Sequence, residues 1–307
     1  MEALLNALPG AVAQGLIWGI MAIGVYLTYR VLDIADLTVD GTMCTGGAVC
    51  IMMMINGQPL WLSLLVAFGA GLLAGLITGI LHTFMGIPAI LSGILTQLAL
   101  YSINLKIMGK ANQPINNQKY DLMVSLLYVR GVPFYKNTIF VVAICIVVLI
   151  AVLYWFFGTE LGCSLRATGC NQNMSRAQGI NTKVNTILGL MLSNGIVAFA
   201  SALLAQYQGF ADINMGRGAI VIGLAAVIIG SVIFDKIFRN FALKLLSVAI
   251  GGVIYYIVLQ IVIQLGFDAD LLKLLSAVVV ALFLAVPYWK KKFFDKPAKV
   301  KVQKGMS

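Results

Sequence analysis

Chemistry in this chain would have to come from few side chains. His82 is the single histidine, and it sits just ahead of Gly86 and Pro88 at the end of an apolar run, where it reads as a boundary residue. Cys44, Cys50, Cys145, Cys163 and Cys170 lie in or beside apolar segments without metal-ligand spacing, so they read as small apolar fillers. One boundary histidine cannot supply H-E-x-x-H or the base of a serine protease. The sequence also has no G-x-x-x-x-G-K-[ST] to cradle ATP phosphates. No catalytic residue, metal site or enzymatic activity is expected. What remains is weakly polar. Asp40, Thr42, Thr45, Gly46 and Gly47 interrupt one apolar run, Ser92, Thr96, Gln97 and Asn104 punctuate another, and Asn194 and Ser201 share a face of a third. Hydroxyls and amides in apolar helices either hydrogen-bond between helices or line a path for a small solute. Thr42, Thr45, Gly46, Ser92, Thr96 and Asn194 are expected along such a path, and Asn104 is expected to bond between helices. The run around Asp40 predicts a broken or re-entrant segment, with Asp40 read as a carboxylate at a helix N-terminus.

The elements that position these groups follow from composition. Of 307 residues, 61% are hydrophobic and only 10% charged, against about 25% charged in soluble domains. The solvent for most of this surface must be lipid. A span needs about 20 apolar residues, which predicts an all-α polytopic bundle of about nine helices near 8–28, 38–55, 60–81, 87–107, 137–157, 184–206, 217–234, 241–265 and 271–289. The chain reads as one transmembrane domain over 1–289, containing an elbow at 160–183, followed by a basic tail over 290–307. The tail, rich in lysine, is expected in the cytoplasm. Nine spans then put the N-terminus outside. Residues 108–136 disagree: Lys110, Lys119, Arg130 and Lys136 face only Asp121 there, yet the count places them outside. A miscounted span or a re-entrant helix would remove the conflict. No basic n-region of a cleavable signal opens the sequence, so the first span is expected to be retained.

The spans lack the buried charges of ion-coupled carriers, so the body has no fuel of its own. The stretch "GCSLRATGCNQNMSRAQGINTKVNT", Gly162 to Thr186, is polar, basic and far longer than a connection requires. "LGCSLRA" at 161–167 and "NQNMSRAQGI" at 171–180 each predict a short helix, with Gly169 and an Asn171 cap between them. Arg166 and Arg176 should project from this elbow while Ala167 and Ala177 permit close packing, which suits a groove on a partner or the surface of a membrane.

The pattern G-x-S-L-R-A-x-G-x-N-x-x-x-[SA]-x-x-x-G-I-N, Gly162 to Asn181, resembles the coupling segment of ABC-importer permeases of the branched-chain amino acid and ribose type. The order of 192–234 is similar to the helix, glycine turn and helix of that family. "DIADLTVDGTMCTGGAVC" at 33–50 resembles its branch with an LTVDG motif, as does 93–112. The resemblance implies a permease dimer, two ABC ATPase subunits that supply ATP and Mg, and an external substrate-binding protein. No cofactor is implied for this chain itself. It also implies that Leu165, Arg166, Ala167, Gly169, Asn171, Arg176, Ala177 and Gly179 couple to the ATPase. Gln172 and Asn173 stand where the ribose type has acids. The binding protein would dock on 108–136 and 207–218, through Gln208, Asp212 and Arg217. The branch implies amino acids, aromatic ones included. A passive channel, or a structural subunit whose elbow rests on lipid, are the competing readings.

Overall fold

The computed structural model describes residues 2–264, apart from 117–119, 121, 130–132 and 236, and a few positions between 274 and 285. The predicted span 271–289 and the tail 290–307 thus lie largely or wholly outside the described residues. Helices α1 (Glu2–Tyr26), α2 (Thr38–Ile55), α3 (Leu60–Thr83), α4 (Ala89–Met108) and α5 (Thr138–Gly158) are followed by two short helices, α6 (Glu160–Cys170) and α7 (Gln172–Ala177). Then come α8 (Thr182–Gln208), α9 (Ala219–Phe234) and α10 (Phe241–Gln264). Among the described residues seven helices are long and apolar enough to cross a membrane, and α9 is shorter. Apart from the start of α1, which lies at Glu2 rather than at 8, the bounds of the eight expected spans that are described hold to within a few residues, because apolar runs ended by Gly, Pro or polar clusters leave little choice.

Helix α8 is the axis. Ser193 donates to the Gly24 carbonyl and Tyr207 to that of Gly10, so α1 runs antiparallel to α8. The partners of α2 climb α8 in step, Thr42 with Asn194 and Gly47 with Ser201, so these two run parallel. A Cβ on Gly46 would stand 2.1 Å from the Ala198 carbonyl oxygen. Only glycine permits this approach, and close backbones are how membrane helices gain dispersion energy without a hydrophobic drive. The polar run 40–47 is therefore unbroken helix, contrary to expectation. The break lies upstream: α1 ends in a π-helical turn, Leu27–Val31, and 32–37 return as irregular backbone, with Leu32, Ile34 and Asp36 buried and Asp33 and Ala35 exposed.

A second irregular stretch was unexpected. Strands β1 (Asn112–Pro114) and β2 (Phe210–Asp212) pair antiparallel, so the fold is not wholly helical. From β2 the chain continues beside α2, with the Cys44 thiol donating to the Asp212 carbonyl and Asp40 meeting Gly218. Asp40 lies fifteen residues before the α2 terminus at Ile55, about 22 Å along the helix axis. Residues 209–218 thus descend into the bundle, and α9 starts at mid-depth. That is why its 16 residues, about 24 Å, suffice. Residues 109–116 and β2 lie at the end of the bundle opposite α6 and α7.

Candidate functional site

The elbow is built from three side-chain caps. Thr159 accepts from the Gly162 amide at the start of α6, Asn171 from Met174 at the start of α7, and Asn181 from Val184 at the start of α8. Each satisfies a donor that a helix N-terminus leaves free. Helix α6 continues through Gly169 and is seated inward. Leu165 is buried, Asn185 of α8 donates to Ser164 and Thr168, and a Cβ at Gly169 would stand 1.8 Å from the Val31 carbonyl oxygen. Arg166 does not project. Its Nη2 donates to the Phe157 carbonyl at 2.8 Å, and its guanidinium lies over the Phe241 ring. Desolvated stacking on the ends of α5 and α10 outcompetes solvent for this planar cation. Ala167 is half-buried beside it. The exposed tip is 171–179, holding Asn171, Met174, Arg176, Ala177 and Gly179. Arg176 is steadied by the Thr182 hydroxyl at 3.0 Å. Met174, 56% exposed, is a tip residue that the sequence reading passed over. Its signal was a large apolar side chain in a polar run.

A polar network crosses the bundle above the elbow. Asn194 donates to the buried Asp36 carboxylate at 2.7 Å and accepts from Thr42 at 2.7 Å. Asp36 also accepts from the Thr38 amide. The hydroxyls of Thr38, Thr78 and Thr96 form a chain across α2, α3 and α4 at 2.7 and 2.9 Å. Thr45 and Ser92 bond only within their own helices. All of Thr42, Thr45, Gly46, Ser92, Thr96 and Asn194 are buried within one protomer. The structure thus brings Thr42, Thr96 and Asn194 together as joints between helices, and Gly46 as a close contact, while Thr45 and Ser92 stand apart. Asp36, unnoticed in the sequence because its neighbours in the chain look like a loop, supplies the network's carboxyl group.

At the other end Gln208 closes α8 and Asp212 lies in β2. The Asp212 carboxylate is occupied by the Asn214 amide and the Asn112 side chain rather than by Arg217. Arg217 is exposed and, with Asp40, lines a cleft between α2, α4 and the descending loop. Asp40 accepts from the Gly218 and Ile220 amides, both at 3.0 Å. It is a helix N-terminal carboxylate as expected, but for α9, far along the chain.

The comparisons agree with this architecture. Residues 8–287 match the family described as branched-chain amino acid transport system / permease component. A tyrosine transport system permease protein of Clostridioides difficile is 38% identical over 92% of this chain and 91% of its own length. A fructose import permease protein of Bifidobacterium longum is 28% identical over 80% of this chain and 67% of its own. A solved structure described as PsaBC from Streptococcus pneumoniae in complex with Fab shares the fold, with TM-score 0.54 and 15% identity over 95% of this chain and 100% of that one. With the family model covering nearly the whole length and a relative this similar end to end, the chain belongs to the branched-chain amino acid type of ABC-importer permeases.

Proposed function

We propose that the chain forms the translocation path for an amino acid, with tyrosine-like aromatic side chains among its cargo, and that an ATPase partner drives it through the tip 171–179. The observation that carries this reading is the division of the elbow. Leu165, Arg166 and Gly169 lock α6 to α1, α5 and α8, while the tip bears exposed Met174 and Arg176 and is free to enter a groove. The tyrosine transport permease of C. difficile supports the cargo. In this reading two copies of the chain, two ATPases holding ATP and Mg, and an external binding protein make the importer. The tip and the basic tail face the cytoplasm of a bacterial plasma membrane. The N-terminus faces outside, and Gln208 and Asp212 with 109–116 form the docking surface.

The buried network suits transmission. Closure of the ATPases displaces the tip, the Asn185 bonds carry the displacement into α8, and Asn194 delivers it to α2 through Thr42 and Asp36. Access then alternates by rigid-body movement between two states with different affinity for the motor. Thr45, Gly46, Ser92 and Thr96 lie along the helices that move.

The test is uptake of radiolabelled L-tyrosine by cells expressing the chain with the ATPase and binding protein encoded beside it. Uptake should vanish when the ATPase is inactivated, and deletion of 171–178 should abolish co-purification of the ATPase while insertion persists. Downhill tyrosine flux through liposomes holding this chain alone would make it a channel instead.

A further inference from the structure

The cleft of about 130 Å³ beside Asp40 brings charged and amide side chains into a largely apolar wall where lipid should lie. Its outer rim is the apolar face of α4, with Leu98 64% and Tyr101 45% exposed. Its wall carries Asp40, Gln97, Asn104 and Arg217. A surface facing acyl chains does not hold a carboxylate, a guanidinium and two amides at mid-depth. Asp40 is held by two backbone amides and the Asn104 Nδ2 by the Gly41 carbonyl, but other polar atoms here lack partners. The Asn104 side chain is fully buried, and its Oδ1 has no partner. Among the described residues the Gln97 amide, the Tyr101 hydroxyl and the Arg217 guanidinium make no hydrogen bond either. Asp40 and Arg217 line one small space without closing into an ion pair. Opposite charges kept apart across a gap leave a place for a ligand that carries both.

Resting on the permease reading above, we propose that this cleft binds the zwitterionic head group of the amino acid in transit, and that the outer face of α2 and α4 lines the water-filled path. Arg217 takes the α-carboxylate, as a planar fork suited to two oxygens. The α-ammonium donates to the free lone pairs of Asp40, while Asn104, buried behind it, fixes the wall of the cleft. The cargo side chain lies against Leu98 and Tyr101. Asp40 also caps α9, so occupancy of the cleft bears directly on the helix that starts at mid-depth, a recurring arrangement at transporter sites. A neutral sugar would satisfy neither charge.

The test uses the assembled importer in cells, with the five native cysteines replaced by alanine or serine and a membrane-impermeant thiosulfonate as probe. Leu98→Cys should react at least about ten times faster than Val147→Cys, a comparably exposed position on α5, the most apolar helix. L-tyrosine should protect Leu98→Cys, tyramine and 3-(4-hydroxyphenyl)propionate much less. Arg217→Gln should raise the half-protecting concentration of L-tyrosine on the order of ten- to a hundred-fold, the loss of one charge-assisted contact, and leave that of tyramine unchanged. A Leu98→Cys thiol as inert as that of Val147→Cys would place the face against lipid and overturn the proposal. Equal protection by all three compounds, or none by tyrosine while uptake is intact, would also overturn it. Protection by tyrosine in cells that fail to import it would leave the site standing and remove the transport reading instead.

Discussion

Replacing Asn194 by leucine tests whether the buried network is a joint. Asn194 and Asp36 are 0% and 2% exposed. The substitution deletes the 2.7 Å donor to the Asp36 carboxylate and the acceptor for Thr42. The second loss is small. Thr42 keeps the Thr38 carbonyl at 3.1 Å, and neutral bonds between membrane helices average about 0.6 kcal/mol. The first loss decides the outcome. A hydrogen bond to a charged group contributes about 1.5–3 kcal/mol, and only Thr38, through its amide and its side chain, remains to hold the carboxyl group. Together the cost should be about 2–4 kcal/mol. Removing the stranded carboxylate as well should recover part of it, so the double variant Asp36→Ala/Asn194→Leu should be no less stable than Asn194→Leu alone. Unfolding by SDS in mixed micelles, followed by tryptophan fluorescence, measures all three variants. Additive costs, within about 0.5 kcal/mol, would mean that the carboxylate finds water without Asn194 and that the network is not a coupled unit.

Three further outcomes separate seat from tip. Gly169→Val drives a side chain into the Val31 carbonyl, so it should lift α6, expose the elbow to protease and cut ATP-driven uptake at least about tenfold, with insertion unchanged. Met174→Asp should weaken ATPase co-purification without moving the melting temperature, as exposed substitutions seldom change stability by more than about 0.5 kcal/mol. Arg166→Glu should instead lower both, because its bond to Phe157 and its place over Phe241 are internal. Asp40→Ala strands the Gly218 and Ile220 amides and should cost about 1–3 kcal/mol in the same micelle assay.

Much of the bundle was legible because lipid demands long apolar runs and the breaks between them are chemically loud. The bounds of α2 are those expected, and the Asn171 cap divides the elbow where the sequence places it. What stayed hidden depends on pairing across the chain. "YQGFADINMGRG" has the composition of an outer turn, and nothing in it announces a descent along α2 to a carboxylate nearly two hundred residues earlier. The same applies to Arg166, since a cation in a polar loop reads as solvated until Phe241 is known to lie beneath it. Thr42, Thr96 and Asn194 have side chains equally suited to solute and to neighbouring helices, and only the packing distinguishes the two. Lys110 and Lys136 sit at the end opposite the elbow, with four helices before them.

Helix α8 runs unbroken for 27 residues, about 40 Å, from the Asn181 cap to Gln208, and it exceeds the roughly 30 Å hydrocarbon layer. With glycine-tight neighbours along it, this rod has no internal joint at which a displacement could dissipate. Equilibrium then demands symmetry between its two tips: a protein that seats better on the outer ribbon when nucleotide is bound must, to the same factor, tighten the hold on nucleotide. In the proposed importer, the helix that conveys the power stroke would thereby also be the wire by which a loaded carrier outside announces itself to the motor.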